Sequence, residues 1–236
     1  MVHLSEKLSN ERELGKWLIN KLKQKYDISK FYFVSSLSIN GSKDPFKILV
    51  ATILSQNSTD KAAMNAYHNL EKITRISPAH ICRLNYKVIA SAIRPAGLHK
   101  TKAKALKELS RIILSKYDGD LFKLLKNSEL DIRKELMKLP NAGSKTCDVL
   151  LVNMGVLKTV PVDTHISRIA KRLGLVPNNA GYEMIRRRLD EIFDEDDRYD
   201  AHLLLIMHGR TTCKAINPLC QECLISEKCN YYKSYK

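Results

Sequence analysis

The sequence predicts an all-α protein, and three observations support this class. Apolar residues repeat every three or four positions along most of the chain, whereas few segments alternate with the period of two that strands show. Proline and glycine stand at the ends of the periodic segments, where helices begin or end. No internal repeat or low-complexity linker interrupts the pattern. With 236 residues and 44% hydrophobic content, the chain is long enough for one large domain or two small ones.

Apolar stripes indicate the first helices. Leu14, Leu18 and Leu22 share one face of a helix near the N-terminus. Residues 46–55 are nearly all apolar, so we expect their helix at the centre of a core. The stretch 31–39 between these two helices fits either a strand or an extended linker.

Capping and breaking residues bound the helices that follow. A helix is predicted from Asp60 through Leu70, and Ser77 with Pro78 has the pattern of an N-cap followed by a helix-opening proline. An amphipathic stripe then covers residues 105–113. The remaining periodic segments predict a helix that ends near residue 137 and helices over 144–155, 164–173, 181–193 and 198–208.

The charge of the chain indicates a polyanionic partner. Forty Lys and Arg residues stand against 25 Asp and Glu residues, which gives a formal net charge of +15. Nucleic acid is the commonest partner of such a chain, while a merely soluble basic protein and an anionic membrane surface are the alternatives. Bases crowd residues 94–111 and acids crowd residues 190–197, and this asymmetry predicts a single binding face.

Composition also predicts an intracellular protein of the cytoplasm or nucleoid. No apolar run approaches the roughly 20 residues that a membrane-spanning helix requires, and we expect no membrane partner. The N-terminus lacks the apolar core of a signal peptide. Cys82 and Cys147 lie in partly apolar helical stretches, so we expect buried thiols in a reducing compartment.

Four cysteines near the C-terminus form a compact motif. Six, two and five residues separate Cys213, Cys220, Cys223 and Cys229. Four thiolates in so short a window can hold an iron–sulfur cluster or a zinc ion. The spacing favours a cluster, because structural zinc sites usually take two short hooks and only the middle pair forms one. It also differs from the ferredoxin pattern, which makes an electron carrier a secondary interpretation. Zinc and the absence of any metal stay open as alternatives.

Residues 139–146 have the sequence of a helix–hairpin–helix. Pro140 ends the first helix, and a short turn with Gly143 opens directly into the second. Backbone N–H groups at a helix N-terminus can hold a phosphate without a charged side chain, so the turn predicts contact with the DNA backbone. The alternative is a helical hairpin in which the glycine serves geometry alone.

Lys145 and Asp163 are the candidate catalytic residues. A helix N-terminus disfavours an ammonium ion, so Lys145 can act as an amine that attacks a sugar carbon and forms a Schiff base. Asp163 follows eighteen residues later at the start of another helix, where a carboxylate can assist proton transfer and stabilise positive charge. A phosphate-binding or solvated lysine and a simple N-cap are the alternatives.

Together these motifs resemble the endonuclease III branch of the helix–hairpin–helix DNA glycosylases. The resemblance covers nearly the whole chain, and no single motif would be specific. It rests on five segments in the family's order, namely residues 45–60, 97–103, 139–146, 162–165 and 208–210, the last leading into cysteines at the family's 6-2-5 spacing.

The resemblance implies a two-domain fold with a cleft between the domains. A six-helix domain would cover residues 46–157 and carry the hairpin, and residues 1–45 plus 158–236 would form the cluster domain. The four cysteines would hold a [4Fe–4S] cluster with a chiefly architectural role. Lys145 would be the nucleophile and Asp163 its catalytic partner.

The implied activity is that of a bifunctional DNA glycosylase/AP lyase of base excision repair. Its partner would be damaged double-stranded DNA, and we expect a monomer. The enzyme would flip an oxidised or ring-saturated pyrimidine from the duplex and remove it. It would then cut 3′ to the abasic site by β-elimination through a lysine Schiff base. The alternatives are a monofunctional mismatch glycosylase of the same fold, which generally lacks the lysine, and a non-catalytic, cluster-bearing DNA-binding protein.

The resemblance also implies residues that enter the duplex. Leu98 matches the family's apolar wedge. Asn57 stands where many relatives have the glutamine that fills the vacated space, and Gln56 is the alternative for that role.

Two further DNA contacts depart from the family pattern. Asn141 replaces the first glycine of the hairpin, although Gly143 is kept, and asparagine tolerates a left-handed backbone better than other non-glycine residues. Lys214 is the only cation between the first two cysteines of the motif, so this loop is predicted to hold phosphate weakly.

Overall fold

The computed structural model describes residues 2–30, 44–126 and 129–234. In these three ranges it contains α-helices and short 3₁₀ turns without any strand, which confirms the all-α prediction. No helix in the described ranges is long and apolar enough to cross a membrane. The α-helices are α1 (Val2–Lys23), α2 (Pro45–Ser55), α3 (Asp60–Ile73), α4 (Pro78–Arg83), α5 (Tyr86–Ala92), α6 (His99–Tyr117), α7 (Glu129–Met137), α8 (Ser144–Asn153), α9 (Thr164–Leu173), α10 (Tyr182–Ile192), α11 (Arg198–Thr211) and α12 (Asn230–Lys233).

The predicted helices are present, most of them within a few residues of the predicted bounds, and two local expectations change. Ser77 precedes α4 as predicted, but its hydroxyl contacts His80 Nδ1 at 2.8 Å and makes no capping bond to the backbone. Cys147 is buried as predicted, whereas Cys82 is only half-buried. The predicted strand or linker at 31–39 lies outside the described residues.

The described residues fall into two compact units. The hairpin unit, as we call it, contains α2 to α8 within residues 44–126 and 129–157. The cysteine unit contains α1 and α9 to α12 within residues 2–30 and 158–234. The functional roles assigned to domains at 46–157 and at 1–45 plus 158–236 stay predictions.

The α2 helix lies at the centre of the hairpin unit. Asp44 caps it by accepting hydrogen bonds from the backbone N–H groups of Phe46 at 2.9 Å and Lys47 at 3.3 Å, and proline occupies the first helical position. The helix packs against α3 and α8, and its residues Leu49 and Leu54 are fully buried, as expected for a helix that is apolar on every side. Its C-terminal end therefore has a fixed position from which a loop can project.

The cysteine unit packs α1 against α10 and α11 through the predicted stripe of α1, in which Leu18 and Leu22 are buried. The backbones of α1 and α10 approach so closely that a Cβ atom at Gly15 would overlap the carbonyl group of Ile192. This crossing therefore requires glycine because there is no room for a side chain, and not because of the backbone angles of Gly15.

Most acids of the stretch 190–197 have partners within the cysteine unit. Asp190 accepts hydrogen bonds from Thr159 Oγ1 at 2.7 Å and from the Val160 N–H at 3.0 Å, and Arg186 pairs with it at 3.2 Å. Burial raises the pKa of Asp190, although these hydrogen bonds and arginine charges oppose the rise. The pairings fix the segment that leads to Asp163.

We expect Gly15→Ala to lower the free energy of unfolding by about 1–3 kcal/mol, because the added methyl group must displace backbone. Urea unfolding followed by circular dichroism measures the loss. Asn20→Ala, at an exposed position of the same helix, is the control and should leave stability nearly unchanged. Equal stabilities for the two variants would contradict the packing argument.

Candidate functional site

The hairpin turn between α7 and α8 has the backbone that the sequence predicts. Asn141 adopts a left-handed conformation with φ +58°, so asparagine does replace the family's glycine here. The turn closes through a hydrogen bond from the Ala142 N–H to the Leu139 carbonyl at 3.1 Å. Gly143 precedes α8 in an extended conformation. A side chain at this glycine would meet no neighbouring atom, which leaves an open surface above the start of α8.

Lys145 is the second residue of α8 and is exposed, whereas Thr146 and Cys147 beside it are buried in the unit. The residues that follow it carry the apolar face of α8, so the helix period turns Lys145 toward solvent. The nucleophile candidate therefore projects from a helix N-terminus, where backbone N–H groups are available to an anion.

An ion pair that the sequence analysis missed joins α7 to α8. Asp148 is fully buried, and its carboxylate accepts hydrogen bonds from Arg133 Nε at 2.6 Å and Nη2 at 3.3 Å. An acidic residue within the buried face of a helix was the available signal, since a buried carboxylate needs a partner. The pair fixes the two hairpin helices against one another.

Gln56 and Asn57 have different surroundings, although both were candidates for the same role. Gln56 Nε2 donates to the Asn141 carbonyl at 2.9 Å and lies 3.0 Å from Thr146 Oγ1. Asn57 is exposed and has φ +50°. The Gln56 amide is thus engaged by the hairpin, and Asn57 is presented at the surface.

Leu98 is also exposed on a strained backbone. Its relative exposure is 57% and its φ is +47°, which is unusual for a leucine without a functional or structural constraint. It directly precedes α6 and follows Gly97, which itself has φ +67°. An apolar side chain held outward in this way can enter a partner molecule.

Two lysines of the basic stretch 94–111 face the interior, so fewer of its cations reach the surface than the sequence suggests. Lys102 is only 2% exposed. Lys107 is half-buried, and its Nζ donates to the Cys82 carbonyl at 3.0 Å and to the Leu84 carbonyl. The helix period turns both lysines toward the unit, while exposed cations are left at Arg94, Lys100, Lys104 and Arg111.

Asp163 begins α9 in the cysteine unit. It is half-buried, and its Oδ1 accepts a hydrogen bond from the Ile166 N–H at 2.8 Å. The capping role is therefore confirmed. One carboxylate oxygen serves the helix, and chemistry at this residue would use the other.

The four cysteines line a single pocket in the cysteine unit with about 370 Å³ of empty space, part of which is open to solvent. Apolar residues complete the lining, among them Ile169, Leu173 and Ile225. Within the described part of the chain, no three Cys, His, Asp or Glu side chains are arranged to hold a metal ion.

Buried polar groups that the sequence analysis did not identify surround this pocket. His208 Nε2 lies 3.6 Å from Cys223 Sγ, and its Nδ1 lies 3.1 Å from the Tyr26 hydroxyl. Burial and the charges of Lys25 and Arg168 lower the pKa of His208 to about 4. Burial also raises the pKa of the Cys223 thiol to about 11. Tyr26 and His208 are far apart in the sequence. Only His208, which stands shortly before the cysteines, could have indicated from the sequence that a polar side chain lies near the pocket.

Two arginines of α9 hold the loop between the first two cysteines. Arg168 Nε donates to the Cys213 carbonyl at 3.0 Å, and Arg172 donates to the carbonyls of Lys214 at 2.7 Å and Ala215 at 3.1 Å. Arg172 Nη1 also lies 3.3 Å from Cys213 Sγ. The Lys214 side chain remains exposed, so the predicted phosphate contact stays a prediction. The four-residue spacing of these arginines was the signal for their shared face.

Close packing of α9 and α11 fixes the segment before the cysteines. A Cβ atom at Gly209 would lie 2.6 Å from the Cβ atom of His165. Glycine is therefore required where α11 crosses the start of α9, and Arg168 Nη2 bonds the Gly209 carbonyl at 2.8 Å.

Endonuclease III proteins are among the known proteins whose sequences are similar to this chain. The family model described as HhH-GPD superfamily base excision DNA repair protein matches residues 50–195. Endonuclease III of Sulfolobus acidocaldarius is 37% identical over 224 residues, which is 93% of this chain and 97% of that protein.

Similar solved structures extend the match to the fold. A trapped endonuclease III–DNA covalent intermediate has a TM-score of 0.77 at 24% identity and covers 97% of this chain and 98% of that one. A thermostable thymine-DNA glycosylase has a TM-score of 0.76 at 22% identity, with 96% and 98% covered. Enzymes with different names therefore share this fold, so similarity in fold does not distinguish between them. The sequence identity to endonuclease III assigns the chain to one branch. The chain belongs to the endonuclease III branch of the HhH-GPD superfamily of base excision DNA repair proteins.

Proposed function

We propose that this chain is a bifunctional DNA glycosylase/AP lyase in which Lys145 is the nucleophile and Asp163 its carboxylate partner. Its family makes it a base excision repair enzyme of the DNA glycosylase/lyase class. The observation that carries the finer proposal is the exposed Lys145 at the second position of α8, directly after the hairpin turn. A phosphate on the N–H groups of that turn would bring a sugar within reach of the amine.

The proposed chemistry starts with attack of the neutral Lys145 amine on the anomeric carbon of the damaged nucleotide. The new C–N bond forms as the glycosidic bond breaks, and the base departs with the bonding electron pair. Opening of the sugar ring gives a Schiff base. Loss of a proton from C2′ then expels the 3′ phosphate oxygen and cuts the strand, and water releases Lys145.

We assign Asp163 two roles, one in capping and one in catalysis. Its capping bond to the Ile166 N–H fixes one carboxylate oxygen at the start of α9. The second oxygen stabilises positive charge that develops on the sugar and accepts a proton from the attacking amine. This division gives the carboxylate a fixed direction.

Two loops of the hairpin unit are assigned to the duplex. Leu98 enters the base stack as an apolar wedge, because burial of its exposed side chain between bases offsets unstacking. Asn57 fills the vacated space. We assign this role to Asn57 and not to Gln56, because the Gln56 amide bonds the hairpin.

We propose that the four cysteines of this pocket hold the [4Fe–4S] cluster that endonuclease III proteins generally carry. Support comes from four thiol donors around one pocket and from Arg172 and His208 near the sulfur atoms of Cys213 and Cys223. Bound there, the cluster would cross-link the C-terminal loop. The chain's own arginines would hold the loop carbonyls, and Ile169 and Leu173 would keep water from one side of the pocket.

We also propose that the enzyme is a monomer that removes oxidised or ring-saturated pyrimidines in the cytoplasm or nucleoid. Lys214 is assigned a weak contact with phosphate. The similarity in fold to a thymine-DNA glycosylase keeps a monofunctional mismatch enzyme as the second candidate. A lysine at position 145 favours the bifunctional enzyme, because a mismatch glycosylase needs no amine nucleophile there.

We expect borohydride to trap the wild-type protein on duplex DNA with an abasic site, and Lys145→Gln to abolish trapping with little loss of DNA affinity. Denaturing electrophoresis measures the adduct, and fluorescence anisotropy the affinity. Lys87→Gln is the matched control, because Lys87 is also exposed at the second position of a helix. If Lys145→Gln is still trapped, Lys145 is not the nucleophile. If the wild type excises the base but is not trapped, the result supports the monofunctional enzyme.

Asp163→Asn should separate capping from chemistry, since asparagine is as good an N-cap as aspartate but carries no charge. We expect unchanged thermal stability and a decrease in the single-turnover rate of base excision of roughly 10²- to 10⁴-fold. An equal rate for this variant and the wild type would remove Asp163 from the mechanism.

Protein purified without oxygen should contain iron and sulfide and absorb visible light. Cys223→Ser should lose iron and the visible absorbance, because Cys223 lines the pocket. Cys82→Ser, a change at a half-buried thiol that is not in the pocket lining, is the control and should keep both. If the purified protein is colourless and contains stoichiometric zinc, the four cysteines hold zinc and not a cluster.

A further inference from the structure

We propose that Lys102 is a positioning residue that fixes the loops carrying Asn57 and Leu98 relative to each other, so that both enter the duplex together. This inference rests on the proposed function of the two loops. Lys102 itself contacts neither substrate nor the reacting atoms. It lies on α6, one turn after Leu98.

The geometry places the Lys102 ammonium between the two loops. Its Nζ donates to the Leu54 carbonyl at 2.8 Å and to the Ala96 carbonyl at 2.9 Å. Leu54 lies in the last turn of α2, three residues before Asn57. Ala96 ends the 3₁₀ turn Arg94–Ala96, two residues before Leu98. One side chain therefore joins the bases of both loops.

Burial makes this contact unusual for a lysine. Lys102 is 2% exposed, and loss of hydration lowers its pKa to about 8. An apolar side chain such as methionine would fill the same place without the cost of desolvating an amine. Core packing alone therefore does not require lysine, whereas a hydrogen-bonded link between two carbonyl groups does.

The two loops need such a link because their backbones are strained. Asn57 has φ +50°, and Gly97 and Leu98 have consecutive positive φ values of +67° and +47°. Non-glycine residues persist in this region only where the surroundings determine the conformation. A carbonyl held just before each strained residue limits the directions that the two presented side chains can take.

Lys107 provides an internal comparison on the same helix. Its Nζ also donates to two carbonyls, those of Cys82 and Leu84, but these lie at the end of α4 and just after it. Neither acceptor lies in a loop assigned to the duplex. Removal of this amine should affect stability without changing how the Asn57 and Leu98 loops are held.

The test compares Lys102→Met with Lys107→Met in the purified full-length chain. Base excision on lesion-bearing duplex DNA requires insertion of the loops, whereas borohydride trapping on a single-stranded abasic oligonucleotide requires the amine nucleophile but no insertion. We expect Lys102→Met to lower duplex excision by about 100-fold relative to single-strand trapping, the scale of an ångström-sized misplacement. Lys107→Met should leave that ratio at the wild-type value.

A second readout reports insertion directly. A 2-aminopurine base next to the lesion should brighten when the wild type or Lys107→Met binds, and brighten much less with Lys102→Met. If circular dichroism shows that Lys102→Met does not fold, Lys102→Gln replaces it with the same expectation, because its shorter side chain cannot span both carbonyls.

Two results would overturn the positioning role. One is that Lys102→Met lowers duplex excision and single-strand trapping equally. The other is that Lys102→Met and Lys107→Met give the same ratio of duplex excision to single-strand trapping. Failure of the wild type to be trapped on single-stranded abasic DNA would instead count against Lys145 as nucleophile, so the two proposals fail in different ways.

Discussion

Hydrogen bonds from long side chains to backbone carbonyl groups are the interaction on which the candidate site depends. In the hairpin unit, Lys102 holds carbonyls at the bases of two loops, and Gln56 joins one of these loops to the hairpin turn. A continuous set of contacts thus runs from the Leu98 loop through the end of α2 to the helix that carries Lys145. Loops that must present strained, exposed residues gain a fixed geometry from such contacts because the loops have little core of their own.

The cysteine unit uses the same principle with arginine. Arg168 and Arg172 lie one turn apart on α9, and their guanidinium groups bond successive carbonyls of the loop between Cys213 and Cys220. A planar group with several donors suits this task, because it can bond neighbouring acceptors at once. The cysteine sulfurs thereby lie among polar side chains of the protein, including Arg172 and His208, whose Nδ1 contacts the Tyr26 hydroxyl.

Sequence reasoning predicted the parts that depend on local pattern. Helix period and caps predicted the helices, and the left-handed tolerance of asparagine predicted the turn at Asn141. It counted Lys102 among the exposed cations, because a lysine is almost never fully buried, although the helix period places it on the face of α6 that meets the core. The pairing of Tyr26 with His208 and that of Arg133 with Asp148 escaped for another reason: local pattern could mark Asp148 and His208, but their partners depend on tertiary contacts.

The inward-facing cations mean that fewer of the 40 lysines and arginines can touch a phosphate than the composition suggests. Lys102 and Lys107 bond carbonyl groups inside the hairpin unit, Arg133 pairs with the buried Asp148, and the arginines of α9 bond carbonyl groups of the cysteine loop. Counterion release counts only cations that touch phosphate. The dependence of DNA affinity on ionic strength should therefore be gentler than a count of lysines and arginines suggests, because the inward-facing ones release no counterions.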